Sequence, residues 1–501
     1  MSTFDNEAKN QGRTMKITSL TIGNFKGIAN KATIPLAPIT LLFGANSTGK
    51  STVLHAMLYL YEVLVNRNFD PVYSTVTGEH LWLGGFQNLV HGKRLDSVIT
   101  LGASLKFEEG EVWDNYLSTA EDGLLEDNLG FWPEAKADEM SFEIDLAWDP
   151  LKKRVFVRRY ECQSQGQTYI RFEARSGRPS AAITYFDMLP HWHVEEEFSI
   201  ANVFSSGSFE PIYIPSSDAL PPPYQRLTLA DMPFEWGEVW PDYPLAAQLF
   251  AEGAVSQAAL APLKHLAVKL SNLFHVGPLR LIPPTDAKVV SNINSADWYS
   301  GAAAWKLFVL STDGFRQRVN NYFNDGSMLN AGYLFDVESS GDGSIATKRV
   351  SLNQRENGVR LLPMNVGVGV SQVFPFIVGA CIDGTSVMSC EQPELHTHPR
   401  WQLSLADIML DACKRTPDRM FLIETHSEHL MLRLLKRRRQ TAENELESGS
   451  PFLCKKGDIQ IVFCEQIEGT TRLLPIKTTD EGDFDAPWPN GFFNERREEL
   501  F

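Results

Sequence analysis

Eight consecutive residues constrain this chain more than any other feature. Gly44-Ala45-Asn46-Ser47-Thr48-Gly49-Lys50-Ser51 fits the pattern G-x-x-x-x-G-K-[ST] at every position. The run follows an apolar segment, Ile39 to Phe43, that reads as a strand. It opens a stretch from about Lys50 to Asn66 whose apolar residues Val53, Leu54, Met57, Leu58, Tyr61 and Leu64 recur at helical spacing. A strand, a glycine-rich turn and a helix in that order let backbone N–H groups curl around phosphate oxygens, with the positive end of the helix aimed at the same point. In such a loop Lys50 reaches the β and γ phosphates and the Ser51 hydroxyl ligates Mg²⁺. The residues Gly44 to Ser51 therefore predict a nucleotide site, with ATP and Mg²⁺ as its ligands.

A phosphate loop of this kind needs an acid at the end of another strand. Glu391, in SVMSCEQPELHTHP, follows a short apolar run and precedes a proline, which suits that role. A later strand, RMFLIETHS, ends in Glu424-Thr425-His426-Ser427, and His426 there is placed to sense the terminal phosphate and position water. Between phosphate loop and acid lies Asn365-Val366-Gly367-Val368-Gly369-Val370-Ser371-Gln372, glycines and a serine opening an apolar helix. That is a second anion-binding nest. One chain rarely needs two nests for one nucleotide, whereas two facing chains can each lend the second nest to the other's ATP.

The rest of the chain is read around these motifs. Met15 to Phe25 predicts a strand; residues 98–185 alternate as a β-rich, largely antiparallel lobe. Residues 186–250 are rich in proline and aromatics and read as irregular, residues 251–325 read as helical with a break at HVGPLRLIPP, and 346–362 reads as a hairpin. From 364 onward strands alternate with helices, as in a parallel sheet covered by helices. The expected organisation is a leader over 1–14, the first part of a nucleotide-binding head over 15–97, a β-rich and proline-rich lobe over 98–250, a helical insertion over 251–345, and the rest of the head over 346–501. With 46 basic against 62 acidic residues the net charge is −16, which disfavours non-specific coating of DNA and leaves any nucleic-acid contact to a local patch. No apolar run is long enough to span a membrane, the start lacks a signal-peptide core, and the six cysteines form no CxxC pair. The expected location is cytoplasmic, with the cysteines as small core residues.

Taken together, the phosphate loop, the GVGVSQ nest, EQPELHTHP and IETHSEH resemble the ABC-type ATPase head of the OLD, RecF and SMC branch of AAA-like bacterial ATPases. LGGFQNLVHGK at 83–93, HVGPLR at 275–280 and WPNGFFNERREEL at 488–500 resemble one subfamily of it. The resemblance implies an α/β P-loop NTPase fold with a mixed sheet, plus a β-rich lobe and a helical insertion. It implies heads that dimerise, or assemble further, on ATP. It assigns phosphate and metal binding to Lys50 and Ser51, the metal-side acid to Glu391, a metal- and water-sensing role to Gln87, presentation across the dimer to Ser371 beside Gly369, and the switch role to His426. Asn24-Phe25-Lys26 resembles a segment near the nucleotide.

One position departs from the branch. Where a second acid usually follows the first, this chain has Gln392, and an amide cannot accept a proton from water. Glu394 or His426 is left to do so, and slow turnover is expected. The residues after His426 are too few for a Toprim nuclease domain, so the chain is not expected to be a nuclease. The leading expectation is an ATP-switched sensor or scaffold in an anti-phage defence system, working with a separate effector from an adjacent gene and triggered by nucleic acid or a phage protein. The alternative is a RecF- or SMC-like ATPase of DNA repair or chromosome maintenance. Lesser signals are the basic run Lys436 to Arg439, which suits a solvated helix end or an acidic partner, the pairs His191/His193 and His396/His398, read as loop residues, and Arg280, read as a structural or nucleotide-side contact.

Overall fold

The computed structural model describes residues 15–107, 114–130, 132–133, 139–178, 180–187, 211–229, 235–239, 241–283, 293–340, 347–384 and 386–489. The expected leader and the pair His191/His193 lie outside them. The strands are β1 (Met15–Gly23), β2 (Ala32–Pro35), β3 (Ile39–Phe43), β4 (Ile99–Phe107), β5 (Glu139–Asp149), β6 (Arg154–Ser164), β7 (Gln167–Glu173), β8 (Ala181–Phe186), β9 (Ile212–Ile214), β10 (Leu273–Val276), β11 (Tyr333–Ser340), β12 (Thr347–Gln354), β13 (Arg360–Leu361), β14 (Val387–Glu391), β15 (Met420–Glu424), β16 (Ile459–Ile467) and β17 (Thr470–Ile476). The helices are α1 (Lys50–Leu64), α2 (Phe86–Leu89), α3 (Thr119–Asn128), α4 (Trp236–Val239), α5 (Pro244–Leu270), α6 (Ala302–Leu310), α7 (Asp313–Asn324), α8 (Val368–Cys381), α9 (Pro399–Arg415) and α10 (Glu428–Ala442). They form two compact units, one of Met1–Thr33, Leu60–Pro71 and Gly84–Ser271, the other of Ile34–Tyr59, Val72–Leu83 and Asn272–Phe501.

The first unit is built on a sheet in the order β2-β1-β4-β5-β6-β7-β8-β9, whose strands β4 to β8 are the antiparallel stretch that the alternation of residues 98–185 predicts, while β1, β2 and β9 join it from outside that stretch. Helix α5 lies on it, buried along most of its length, and it starts earlier than the irregular reading of 186–250 allowed. Pro262 sits inside this helix and has no N–H for the carbonyl of Ala258, four residues back. The sheet supplies the missing donor: the Tyr169 hydroxyl donates to the Ala258 carbonyl at 3.0 Å, and Tyr160 donates to Ala259 at 2.5 Å. Helix α3, capped by Ser118 and Glu121 in a reciprocal box, interrupts a stretch the sequence presents as strands alone.

The second unit carries a mixed sheet, β10-β14-β15-β3-β16-β17, parallel except for the last pair. This is the α/β arrangement expected from the alternation after residue 364. Strand β3 is fully buried in its middle, which explains the unbroken apolar run ITLLF. The edge strand β10 falls where the sequence suggested a break between helices. Its four residues, Leu273 to Val276, are all buried, so no alternation marks them as a strand. Strand β11 joins the expected hairpin, giving the small sheet β11-β12-β13. Trp305 stacks on Phe374 at 3.8 Å and Phe335 lies 4.7 Å from Phe374, which fastens α8 to α6 and to that small sheet.

Helix α8 is held at its far end by cations. Arg419, fully buried, donates to the carbonyls of Gly379 and Ile382; Arg415 donates to Ala380 and Arg318 to Cys381. Three guanidinium groups thus satisfy the carbonyls that a helix C-terminus leaves open, where positive charge is also favoured by the dipole.

Candidate functional site

The phosphate loop leaves the end of β3 and enters α1. Gly44 and Gly49 have φ of 150° and 98°, and a Cβ on either would strike neighbours, the Cys464 carbonyl for Gly44 and the Thr471 side chain for Gly49. The two glycines of the motif are thus required by close packing against β16 and β17. Ala45, Asn46 and Ser47 are exposed at the crest, while Thr48 folds its hydroxyl back onto the Ala45 carbonyl at 2.9 Å. Lys50 is buried and donates to the carbonyls of Gly44 (3.1 Å) and Ala45 (2.8 Å). Burial lowers its pKa, with nearby Glu424 opposing the shift.

Ser51 donates to Glu424 at 2.6 Å, and the second oxygen of that carboxylate is 3.8 Å from Lys50. The sequence names Glu391 as the metal-side acid. The sheet order puts β15 between β14 and β3, so Glu424 is the carboxylate on Ser51, and Glu391 sits opposite it in register one strand further out. Glu391 instead meets His275 at 3.1 Å. Two side chains were therefore missed. The signal for Glu424 was its place at the end of an apolar strand, immediately before Thr425 and His426. Burial raises the Glu424 pKa; the Ser51 hydrogen bond and Lys50 pull it down, while Glu391 and Glu394 push it further up.

Glu394 and His426 meet directly, the carboxylate accepting the His426 backbone N–H at 2.7 Å. Burial pushes the Glu394 carboxyl above its ordinary range. Burial, and then the charge of Lys50, lowers the His426 pKa, which favours the neutral ring. Its Nε2 is enclosed and has no hydrogen-bond partner among the described residues. Ser427, accepting from the Leu430 N–H at 3.0 Å, caps α10 and so fixes His426 one residue before the cap. Gln392 has a left-handed φ of 44°, and its N–H donates to the Glu424 carbonyl at 2.7 Å.

Ser371 is wholly buried, its hydroxyl 3.5 Å from the Pro363 carbonyl, and Gly369 is required because a Cβ would meet the His396 carbonyl at 2.6 Å. The turn before α8 and the helix's first residue expose Met364, Asn365, Gly367 and Val368. His398 is the N-cap of α9, its Nδ1 accepting from Arg400. Arg280, nearly fully buried, donates to the carbonyls of Gly277, Gln372, Glu391 and Gln392, so of its two readings the structural one describes its bonds.

The basic run is not a free patch. Arg437 pairs with buried Asp407 at 2.8 Å and lies over Phe452, Arg438 bonds Thr478, and Arg439 pairs with Asp483 at 2.6 Å. Only Lys436 of the four has no such bond among the described residues, and it is exposed. Gln87 is exposed on α2 in the first unit, where Asn24 donates to the Val98 carbonyl and Phe25 is fully buried. All six cysteines are free, and all but Cys413 are buried. No described helix is long and apolar enough to cross a membrane.

The donor set suits a nucleotide with its cation. A lysine and a helix N-terminus meet phosphate, and a serine hydroxyl beside a carboxylate meets magnesium. Among the described residues no group of three or more His, Cys, Asp or Glu forms a metal cage, so a cation here would also draw on phosphate oxygens and water.

Comparison with known proteins agrees with the loop. Residues 15–120, which contain β3, the phosphate loop and α1, match a family described as AAA ATPase domain. No curated protein matches the chain. Among solved structures it is similar to an Smc head bound to the C-terminal winged-helix domain of ScpA (9% identity over 92% of this chain and 98% of that one, TM-score 0.41). It is similar to the SMC head domain from Thermotoga maritima (9%, 92% and 100%, TM-score 0.37). A third is the Smc head domain with an extended coiled coil bound to the C-terminal domain of ScpA derived from Pyrococcus furiosus (9%, 92% and 96%, TM-score 0.39).

Proposed function

We propose that this chain is a slow, Mg²⁺-dependent ATPase that uses bound ATP as a switch. The observation that carries the reading is Ser51 on Glu424 at 2.6 Å, with Lys50 beside them, where three neighbouring parallel strands end. In this arrangement Lys50 would exchange its two backbone carbonyls for phosphate oxygens, and Ser51 with Glu424 and Glu391 would hold the cation. Magnesium bound there would neutralise charge on the phosphates. Glu394, with its raised pKa, accepts the proton of the attacking water, and neutral His426 turns its Nε2 toward the terminal phosphate. Gln392 takes no proton, so turnover stays low. The full chain should turn over below about 1 s⁻¹, the slow end of ordinary enzymes. Faster turnover would contradict the switch. Glu394→Gln should retain ATP and hydrolyse it about 10² to 10⁴-fold more slowly.

We further infer that ATP brings two copies together through the start of α8 and the turn before it, where exposed Val368 and Met364 offer apolar contact beside exposed Asn365 and Gly367. Two settings suit such a switch, a RecF- or SMC-like role in DNA repair or chromosome maintenance and an anti-phage role with a separate effector and trigger, and both rest on the sequence motifs. Purification with and without Mg-ATP separates the two. ATP-dependent retention of DNA belongs to the first, and an ATP-dependent complex with the product of an adjacent gene belongs to the second.

A further inference from the structure

The segment His275 to Arg280 takes no part in the chemistry above, yet it surrounds Glu391. Strand β10 runs parallel to β14 with His275 opposite Ser389. The His275 side chain is fully enclosed, with Nδ1 2.9 Å from the Ser389 hydroxyl and Nε2 3.1 Å from Glu391 Oε1. An ionised carboxylate only accepts, so Nε2 carries the hydrogen and donates it to Glu391. Tyr299 stacks on the ring at 5.5 Å, and Gly277 is a glycine because a Cβ would meet that tyrosine. Arg280 then fixes the backbone, donating to the carbonyls of Glu391 and Gln392. Gln372, next to Ser371, donates its amide to the Arg280 carbonyl at 2.7 Å. Side chain and backbone of the acid are thus held by one short segment.

We propose that His275 is a positioning residue that aims Glu391 at the cation beside Ser51, with Ser389 and Tyr299 fixing the ring and Arg280 fixing the backbone. The inference rests on the Mg-ATP reading of the site. Without His275, Glu391 is free to turn away from Glu424, its like-charged neighbour in register. A histidine serving only as core filling would be replaceable by phenylalanine without touching the metal dependence.

The test uses the full chain, the variants His275→Phe, His275→Gln and Ser389→Ala, and a fluorescent ATP analogue titrated in EDTA and across Mg²⁺ concentrations, with kcat and KM alongside. In EDTA all variants should bind the analogue like the parent. With Mg²⁺, His275→Phe should need about 10 to 100-fold more metal for half-maximal binding and lose kcat by a similar factor, the usual size of such supporting contacts. His275→Gln, whose amide can still donate to Glu391, should recover most of the loss, and Ser389→Ala should shift the same way by less. A Mg²⁺ dependence and kcat in His275→Phe indistinguishable from the parent would overturn the proposal. If that variant does not fold, an unshifted Ser389→Ala overturns it equally. A parent that binds no nucleotide would sink the ATPase reading itself, a separate outcome from a parent that binds Mg-ATP normally and a variant that does too.

Discussion

At the scale of single residues, Glu394 is where charge and chemistry meet. Burial holds its carboxyl above the ordinary range, so in the proposed role of general base it works only after pH has climbed past that raised value. kcat should therefore rise along an acid limb that lies above the usual glutamate value of about 4.3, and Glu394→Gln should remove both the limb and most of the rate. The same shift acts on stability with the opposite sense. A raised carboxyl pKa stabilises the fold while the group is protonated, and that stability is lost as pH rises through the folded-state value. Glu394→Gln, which imitates the neutral acid, should melt above the parent near neutral pH, and the difference should close toward low pH. Thermal melts across pH check this; a lower melting temperature at every pH contradicts it. Much of this site is contiguous in sequence, which is why Gly44 to Ser51 and His426 are readable there. The Ser51–Glu424 and His275–Glu391 contacts are not, because each depends on which strand lies beside which, and no local pattern encodes strand order.

At the scale of elements, α5 shows how a helix tolerates an internal proline. Pro262 leaves the Ala258 carbonyl without its backbone donor, and Tyr169 from β7 provides one. Tyr169→Phe should cost about 1–3 kcal/mol, the penalty for an unsatisfied buried acceptor. In a Pro262→Ala background, where the N–H at that position can return to Ala258, the same change should cost clearly less. Denaturant unfolding of the double-mutant cycle measures the coupling, and additive costs would contradict the account. The second element is α8, whose C-terminal carbonyls are held by Arg318, Arg415 and Arg419. Arg419→Ala should destabilise the chain by about 2–4 kcal/mol through orphaned carbonyls. Apolar periodicity revealed α8 and most of the parallel sheet, because their burial is one-sided or complete over long runs. It did not reveal β10 or α3, short elements whose existence depends on neighbours contributed by distant sequence.

At the scale of the whole molecule, the proposed ATP-dependent association of two copies can be tested at one surface. The sequence points to Ser371 as the contact residue. Its burial makes an arginine there a test of folding, whereas Val368 at the exposed start of α8 is a cleaner probe. Val368→Arg should leave ATP binding intact and abolish Mg-ATP-dependent self-association in light scattering; an unchanged dimer would remove α8 from the interface. Net charge also has to be read in context. The run Lys436 to Arg439 looks like a basic patch in sequence, but three of its four members spend their charge or hydrogen bonds inside the fold. Composition cannot reveal that, since the partners Asp407, Thr478 and Asp483 lie far along the chain.

Gly44 to Ser51, completed by the carboxylates at the strand ends, is proposed to form a working Mg-ATP site. Native mass spectrometry of the full chain with Mg-ATP tests it most directly, with Lys50→Ala in parallel. The account predicts one ATP and one Mg²⁺ retained per chain in the parent and neither in the variant. A parent that retains no nucleotide, or a variant that retains it equally, would contradict the account.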